Sequence, residues 1–236
     1  MLGLFLSGVI NWRLIFLIPA ALGFILLVFM FVYLPSFRRE VGIFEFNYIA
    51  AFKNKDVLRI FIYIFLISLI YHAIQQWLGV YFSTQLGFTQ FTISMLITLT
   101  SLSGVFGEIF GGSLADSLGR HKVVSLGIAL MVISIFILTI KLPVFILGII
   151  MIIWGLGWTF NHVGLATMLT DLPKNLINEA ASLNSGVRFI SGGIGVSISG
   201  LIMHKSFFLG FIIFGSALLG LLLLEKTISF KKINGG

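Results

Sequence analysis

The stretch GGSLADSLGRHKV, residues 111–123, gathers Asp116, Arg120, His121 and Lys122 into seven consecutive positions. The rest of the chain is sparing with charge. Asp, Glu, Lys and Arg make up 10% of the 236 residues, while 58% are hydrophobic. Soluble domains carry about 25% charged residues, and a chain this apolar has too little polar surface to shield its hydrophobic side chains from water. Long apolar runs flank the stretch on both sides, so it reads as a short polar connection between two membrane-buried rods.

A helix crossing the hydrocarbon core, about 30 Å thick, needs about 20 apolar residues. Runs of that kind are expected at 14–34, 57–82, 91–115, 123–141, 143–168, 180–203 and 207–224. They are continuous, without the period-two alternation of a barrel strand, which predicts helices. The fold class is therefore all-α, a polytopic membrane helix bundle. The sequence has no cysteine, which excludes disulfides and thiolate metal sites. Neither a metal site nor a cofactor is expected.

The net charge of +7 is unevenly spread. Arg38, Arg39, Lys53 and Lys55 lie in 35–56, Arg120 and Lys122 in the opening stretch, and Lys226, Lys231 and Lys232 in the tail. The intervening connections hold none (83–90), Lys141, and Lys205. The positive-inside rule then places 35–56, the opening stretch, 169–179 and the C-terminus in the cytoplasm of a multi-pass cell-membrane protein. The basic balance is a topology signal, and no nucleic-acid partner is implied.

The first ten residues, MLGLFLSGVI, are too short to span and lack the basic start of a signal peptide. They read as the end of a helix whose earlier part is missing. This divides the chain into three: 1–34 as the remnant of a preceding half, 35–56 as a cytoplasmic inter-half loop, and 57–236 as a six-helix bundle with its tail. Within the loop, FEFNYIAAFKNKD at 44–56 has the pattern of a short interfacial amphipathic helix. Six spans with both ends inside make one half of a two-half transporter.

The opening stretch resembles the signature loop of the major facilitator superfamily, in which a Gly is followed after three residues by Asp, then by a Gly-Arg pair and further basic residues. Gly112, Asp116, Gly119, Arg120 and Lys122 match that pattern, while Ser117 and His121 stand where basic residues are expected. WRLIFLIPAALGFILL, from Trp12, is similar to the family's passage from the fifth to the sixth helix. Gly3 to Gly8 resembles its Gly-Pro antiporter motif, with Leu4 in place of the Pro and Ser7 in place of a Gly. The resemblance implies a chain running from the late fifth helix through the twelfth, and alternating access by symport or antiport. It also implies that the loop acts as a cytoplasmic latch between the halves. Physically, Gly119 suits a tight turn of positive φ. Asp116 can meet the positive end of another helix, and Arg120 and Lys122 can pair with carboxylates as the halves close.

Polar residues inside spans are costly in lipid and point to function. In segment two, Tyr71 and Gln75 share one helical face and His72 and Gln76 the next, about 27 Å along from Val57. In segment five, Trp154, Trp158 and Asn161 follow one side. Together these seven are the candidate cavity lining, with amide hydrogen bonding and aromatic stacking to offer. The Gln-Gln pair with Gly79 and Tyr81 also resembles, faintly, the sugar porters of the superfamily. Glu108 is the most conspicuous carboxylate within a span. It is expected to be buried, and to act either as a proton carrier or as the ion-pair partner of Arg188. His162 is the side-chain type whose unperturbed pKa best suits proton cycling. Arg188 requires a partner, with Glu108, Asp171 or an anionic solute as the choices. Asn178 is expected to cap the helix that carries Arg188. Ser103, Gly107, Gly111 and Ala115 form one small-residue stripe, and Ser191, Gly195 and Ser199 another, suited to close helix contact.

These features predict a secondary transporter of a small solute, coupled to ions, with protons first among them. The alternative is a non-transporting or truncated membrane protein that works only with a separate N-terminal half. No zincin, nucleophile-elbow or phosphate-loop motif occurs, so an enzyme is not expected.

Overall fold

The computed structural model describes residues 13–34, 48–172 and 176–224, apart from the side chains of residues 14 and 15. The antiporter-like residues 3–8, the start of the interfacial segment, and the basic tail lie outside them. Helices account for the expected spans: α1 Leu14–Tyr33, α2 Tyr48–Lys53, α3 Lys55–Thr84, α4 Gln90–Leu118, α5 Arg120–Ile137, α6 Val144–Met168, α7 Ile177–Met203 and α8 Phe207–Leu224. Seven of these, all but α2, are long and apolar enough to cross a membrane. Among the described residues there is no strand.

The helix starts follow local chemistry. At α3, the Asn54 side chain accepts from the backbone N–H groups of Asp56 and Val57 at 3.0 and 3.2 Å. At α4, the Thr89 hydroxyl accepts from Thr92 N–H at 3.3 Å. The expected cap at α7 is not made. That helix begins at Ile177 without a side-chain cap, so Asn178 already lies within its first turn. A short 3-10 turn, Leu169–Asp171, follows the end of α6.

Two layers of contact build the bundle: α4 and α5 both pack on α6, and α7 packs on α3, while α8 bridges α5 and α3. The core draws Ile60, Ile64 and Ile67 from α3, Ile128 and Met131 from α5, and Trp154 from α6. Large apolar side chains such as Phe106, Phe145 and Phe189 are exposed instead, as lipid-facing residues are in a membrane protein. Every residue of α1 from Phe16 to Tyr33 is exposed as well.

Both small-residue stripes are interfaces. Ser103, Gly107, Gly111 and Ala115 are buried, with Thr159, Phe160 and Val163 of α6 over the two glycines. Ser191, Gly195 and Ser199 are buried too, Gly195 against the Leu69 backbone of α3.

The opening stretch is scarcely a loop. One residue, Gly119, separates α4 from α5, with φ +95° as its sequence position led us to expect. No atom lies within 4 Å of a Cβ built there, so a substitution meets conformational cost alone. Gly119→Ala is therefore expected to cost about 1–3 kcal/mol. Gly112→Ala, inside α4 with equally open space, is expected to be neutral or stabilising. Thermal unfolding of both variants in one detergent checks the contrast.

Candidate functional site

Residues 154 to 162 of α6 carry aromatic and polar side chains one turn apart, and α3 presents Tyr71 to them. The Tyr71 ring stacks on Trp158 at a centroid distance of 3.9 Å and 11° between planes, and on Trp154 at 5.2 Å and 17°. Trp154 is fully buried, and its indole N–H donates to Gln75 Oε1 at 2.7 Å, which fixes the amide orientation. His162, one turn further along α6, lies parallel to Trp158 at 6.2 Å. Trp158 is thus the middle of an aromatic shelf that runs from Tyr71 to His162.

Arg188 of α7 reaches this shelf. Its guanidinium carbon lies 5.6 Å from the Trp158 ring centroid, within cation–π range. Its Nε donates to Asn184 Oδ1, one turn back, at 3.0 Å. Both terminal nitrogens are buried and have no hydrogen-bond partner among the described residues. A buried charged donor without a partner is expensive, and this cost marks Arg188 out from every other cation in the bundle.

The expected partners of Arg188 are engaged elsewhere. Glu108 lies 3.5 Å from His162 Nδ1, so the expected Glu108–Arg188 ion pair is replaced by a Glu108–His162 contact across the α4–α6 interface. Nor is Glu108 buried within this bundle, its side chain being 58% exposed. Packing of the Gly107 stripe against α6 holds the neighbouring Glu108 at the edge of that interface, beside His162 and facing open space. Asp171 pairs with Arg120, whose Nη1 also donates to Thr167 O at 2.8 Å. Arg120 thereby ties the start of α5 to the end of α6. Of the remaining signature residues, Asp116 and Lys122 are exposed, and Gly112 is partly exposed.

His72 and Ser68 connect α3 to the backbone below Arg188. The Ser68 hydroxyl donates to Arg188 O at 3.2 Å, and His72 Nδ1–H donates to Ser68 O at 2.8 Å. The His72 ring packs over Gly192 of α7, 3.1 Å from a Cβ built there. The two glutamines diverge: Gln75 is held by Trp154, whereas Gln76 is exposed. Asn161 departs from the expected lining. It is fully buried, with its Cβ against Gly127 of α5, on the side of α6 turned away from the shelf. Its side-chain amide has no partner among the described residues.

Two cavities share Glu108. One, of about 270 Å³, is bordered by Tyr71, Gly104, Glu108 and Trp158. The other, of about 400 Å³, is bordered by Glu108, His162, Ala166 and Thr170 and lies towards the Arg120–Asp171 end. Shelf and carboxylate therefore border a groove made of these two cavities, and Arg188 lies behind it, against the Trp158 ring. Ser68 and Asn184 escaped the sequence reading, although Asn184 stands at the i−4 spacing that lets it reach Arg188.

Comparison with known proteins gives the same direction. A family model described as Major Facilitator Superfamily matches residues 1–196. Curated proteins named Quinolone resistance protein NorA, from Staphylococcus aureus strains Mu50, N315 and MW2, are each 30% identical over 149 residues. The match covers 60% of this chain and 38% of each relative, so the chain spans well under half of their length in that alignment.

Proposed function

The chain belongs to the major facilitator superfamily, and from that membership we propose that it supplies one substrate-binding half of a secondary transporter working by alternating access. A facing bundle, to which α1 also belongs, closes the groove from the other side. It is either part of a longer form of this chain or a separate polypeptide. The protein sits in the cell membrane with the Arg120–Asp171 end in the cytoplasm, a reading supported by the distribution of Lys and Arg. Asp116 and Lys122, exposed and beside that ion pair, are the signature residues available to the facing bundle as a latch.

The solute we propose is a small aromatic molecule carrying a carboxylate. One observation carries this choice: the Arg188 guanidinium is buried beside Trp158 with both terminal nitrogens unpartnered. A carboxylate would satisfy both at once, in the paired geometry guanidinium favours. The aromatic body would lie along Tyr71 and Trp158. The relatives' name, a quinolone resistance protein, adds independent support for an aromatic drug-like solute.

Proton coupling is assigned to Glu108 and His162. The pair is accessible from the groove, as a proton relay must be, and borders the same indole as Arg188. A proton arriving there changes the charge felt by an anion on Arg188, and binding linkage makes that effect reciprocal.

The test uses the full-length protein in proteoliposomes with a labelled quinolone. An imposed proton gradient is expected to drive accumulation, and Glu108→Gln is expected to abolish accumulation while sparing solute exchange at equal pH. Accumulation indifferent to both the gradient and Glu108→Gln would remove the proton assignment. Absence of quinolone exchange by the wild type would remove the solute assignment.

A further inference from the structure

The end of the bundle remote from Gly119 holds a second cavity that the transport groove does not use. It measures about 290 Å³ and lies where α3, α5, α7 and α8 end or begin. Tyr81 forms one wall, and its hydroxyl donates to Leu138 O at 2.9 Å, pinning the end of α5 to α3. Phe211 packs edge-on against Tyr81 at 5.0 Å and closes the floor.

The charge on this cavity is one-sided. The three connections at this end, 83–90, 138–143 and 204–206, carry Lys141, His204 and Lys205 and no acidic residue. All three basic side chains border the same cavity, although they come from connections far apart in sequence. Among the described residues none of them has a side-chain hydrogen bond or ion pair. The first turn of α8 opens here as well, its Leu209 N–H accepted by the Ser206 hydroxyl at 3.2 Å. The positive end of that helix adds to the field of the two lysines. By the positive-inside rule such loops are poor in lysine, so two lysines meeting at one cavity call for an anionic occupant.

We infer that this cavity binds the phosphodiester headgroup of an anionic phospholipid. The lipid source, over a free phosphate ion, follows from the setting. Phe208 borders the cavity and is 60% exposed on α8, an apolar span, so exposed apolar surface beside the opening suits acyl chains. Lys141 and Lys205 reach the phosphate from the polar side, and the chains run down beside Phe208. A headgroup held this way joins the α5–α6 connection to the α7–α8 connection and bolts the outer rim of the bundle together.

The experiment titrates purified full-length protein with dioctanoyl phosphatidylglycerol, dioctanoyl phosphatidylcholine or inorganic phosphate, and reads the melting temperature. Phosphatidylglycerol is expected to raise it saturably, with the other two having little effect at matched concentration. Each lysine near an anionic headgroup is worth about 1 kcal/mol. Lys141→Gln combined with Lys205→Gln is therefore expected to weaken phosphatidylglycerol binding about tenfold or more. Unchanged affinity in the double variant, or equal response to phosphatidylcholine, would overturn the site. A matching response to inorganic phosphate would overturn the lipid source. Photocrosslinking of wild type with a photoactivatable phosphatidylglycerol needs no variant. Adducts are expected within 138–143 or 203–211, and adducts found only elsewhere would overturn the proposal.

Discussion

Gly127→Leu is expected to leave almost no folded protein. A Cβ at this position would lie 2.6 Å from both Asn161 N and Gly157 O, two backbone atoms of α6. Neither is the movable end of a side chain, so the helices must part. Gly157 mirrors the contact, its own added Cβ falling 2.8 Å from Gly127 O. Separating α5 from α6 opens the core around Met131 and Trp154 and pulls Arg120 away from Thr167 and Asp171. Overpacking commonly costs about 1–3 kcal/mol, and more where backbone blocks relief. Gly220→Leu on α8, where no atom lies within 4 Å, is the control expected to fold. Yield of monodisperse protein by size-exclusion chromatography checks both.

Arg188→Leu is expected to move stability and binding in opposite directions. Two buried donors without partners burden the unliganded bundle, and a shorter apolar side chain removes that burden. The unliganded variant should unfold at the same temperature as wild type or above it. Affinity for an aromatic carboxylate should fall by about 3 kcal/mol, roughly 100-fold, as two charge-assisted hydrogen bonds disappear. The methyl ester of the same solute should bind both proteins alike, and Arg188→Lys should recover little, since an ammonium cannot meet both carboxylate oxygens in one plane. Isothermal titration with acid and ester separates these outcomes. A parallel loss for acid and ester would assign Arg188 a structural role.

The membrane spans could be read from sequence to within about four residues at each end, because hydrocarbon thickness sets a minimum run length. The run at 143–168 became α6, Val144–Met168, and 207–224 became α8. Gly119 was legible because glycine tolerates the positive φ of a tight turn, although the connection expected at 116–122 contracts to this one residue. Partner choice was less accessible. Helical spacing shows which residues share a face on their own helix, but it does not fix how that face is turned towards a neighbour. Glu108 and Arg188 looked matched by charge, yet the stripe ending in Gly107, Gly111 and Ala115 had already committed that edge of α4 to α6, and so to His162. Asn161 followed the Trp154 and Trp158 side in the periodic reading, but three positions beyond Trp158 the helix has turned it towards Gly127. The Arg120–Asp171 pair was available from topology, since α5 starts and α6 ends on the same side of the membrane.

Alternating exposure of the groove is most directly tested by cysteine labelling, for which this cysteine-free sequence is already suited. Ser101→Cys reports the cavity bordered by Tyr71 and Trp158, away from the Arg120 end, and Ala166→Cys reports the cavity beside His162 near the Arg120 end. Alkylation rates are measured in the full-length protein, cleared of any other cysteines, with and without saturating aromatic carboxylate. The account predicts that the solute slows one site and speeds the other. Rates that shift together, or that ignore the solute while it is bound, would contradict it.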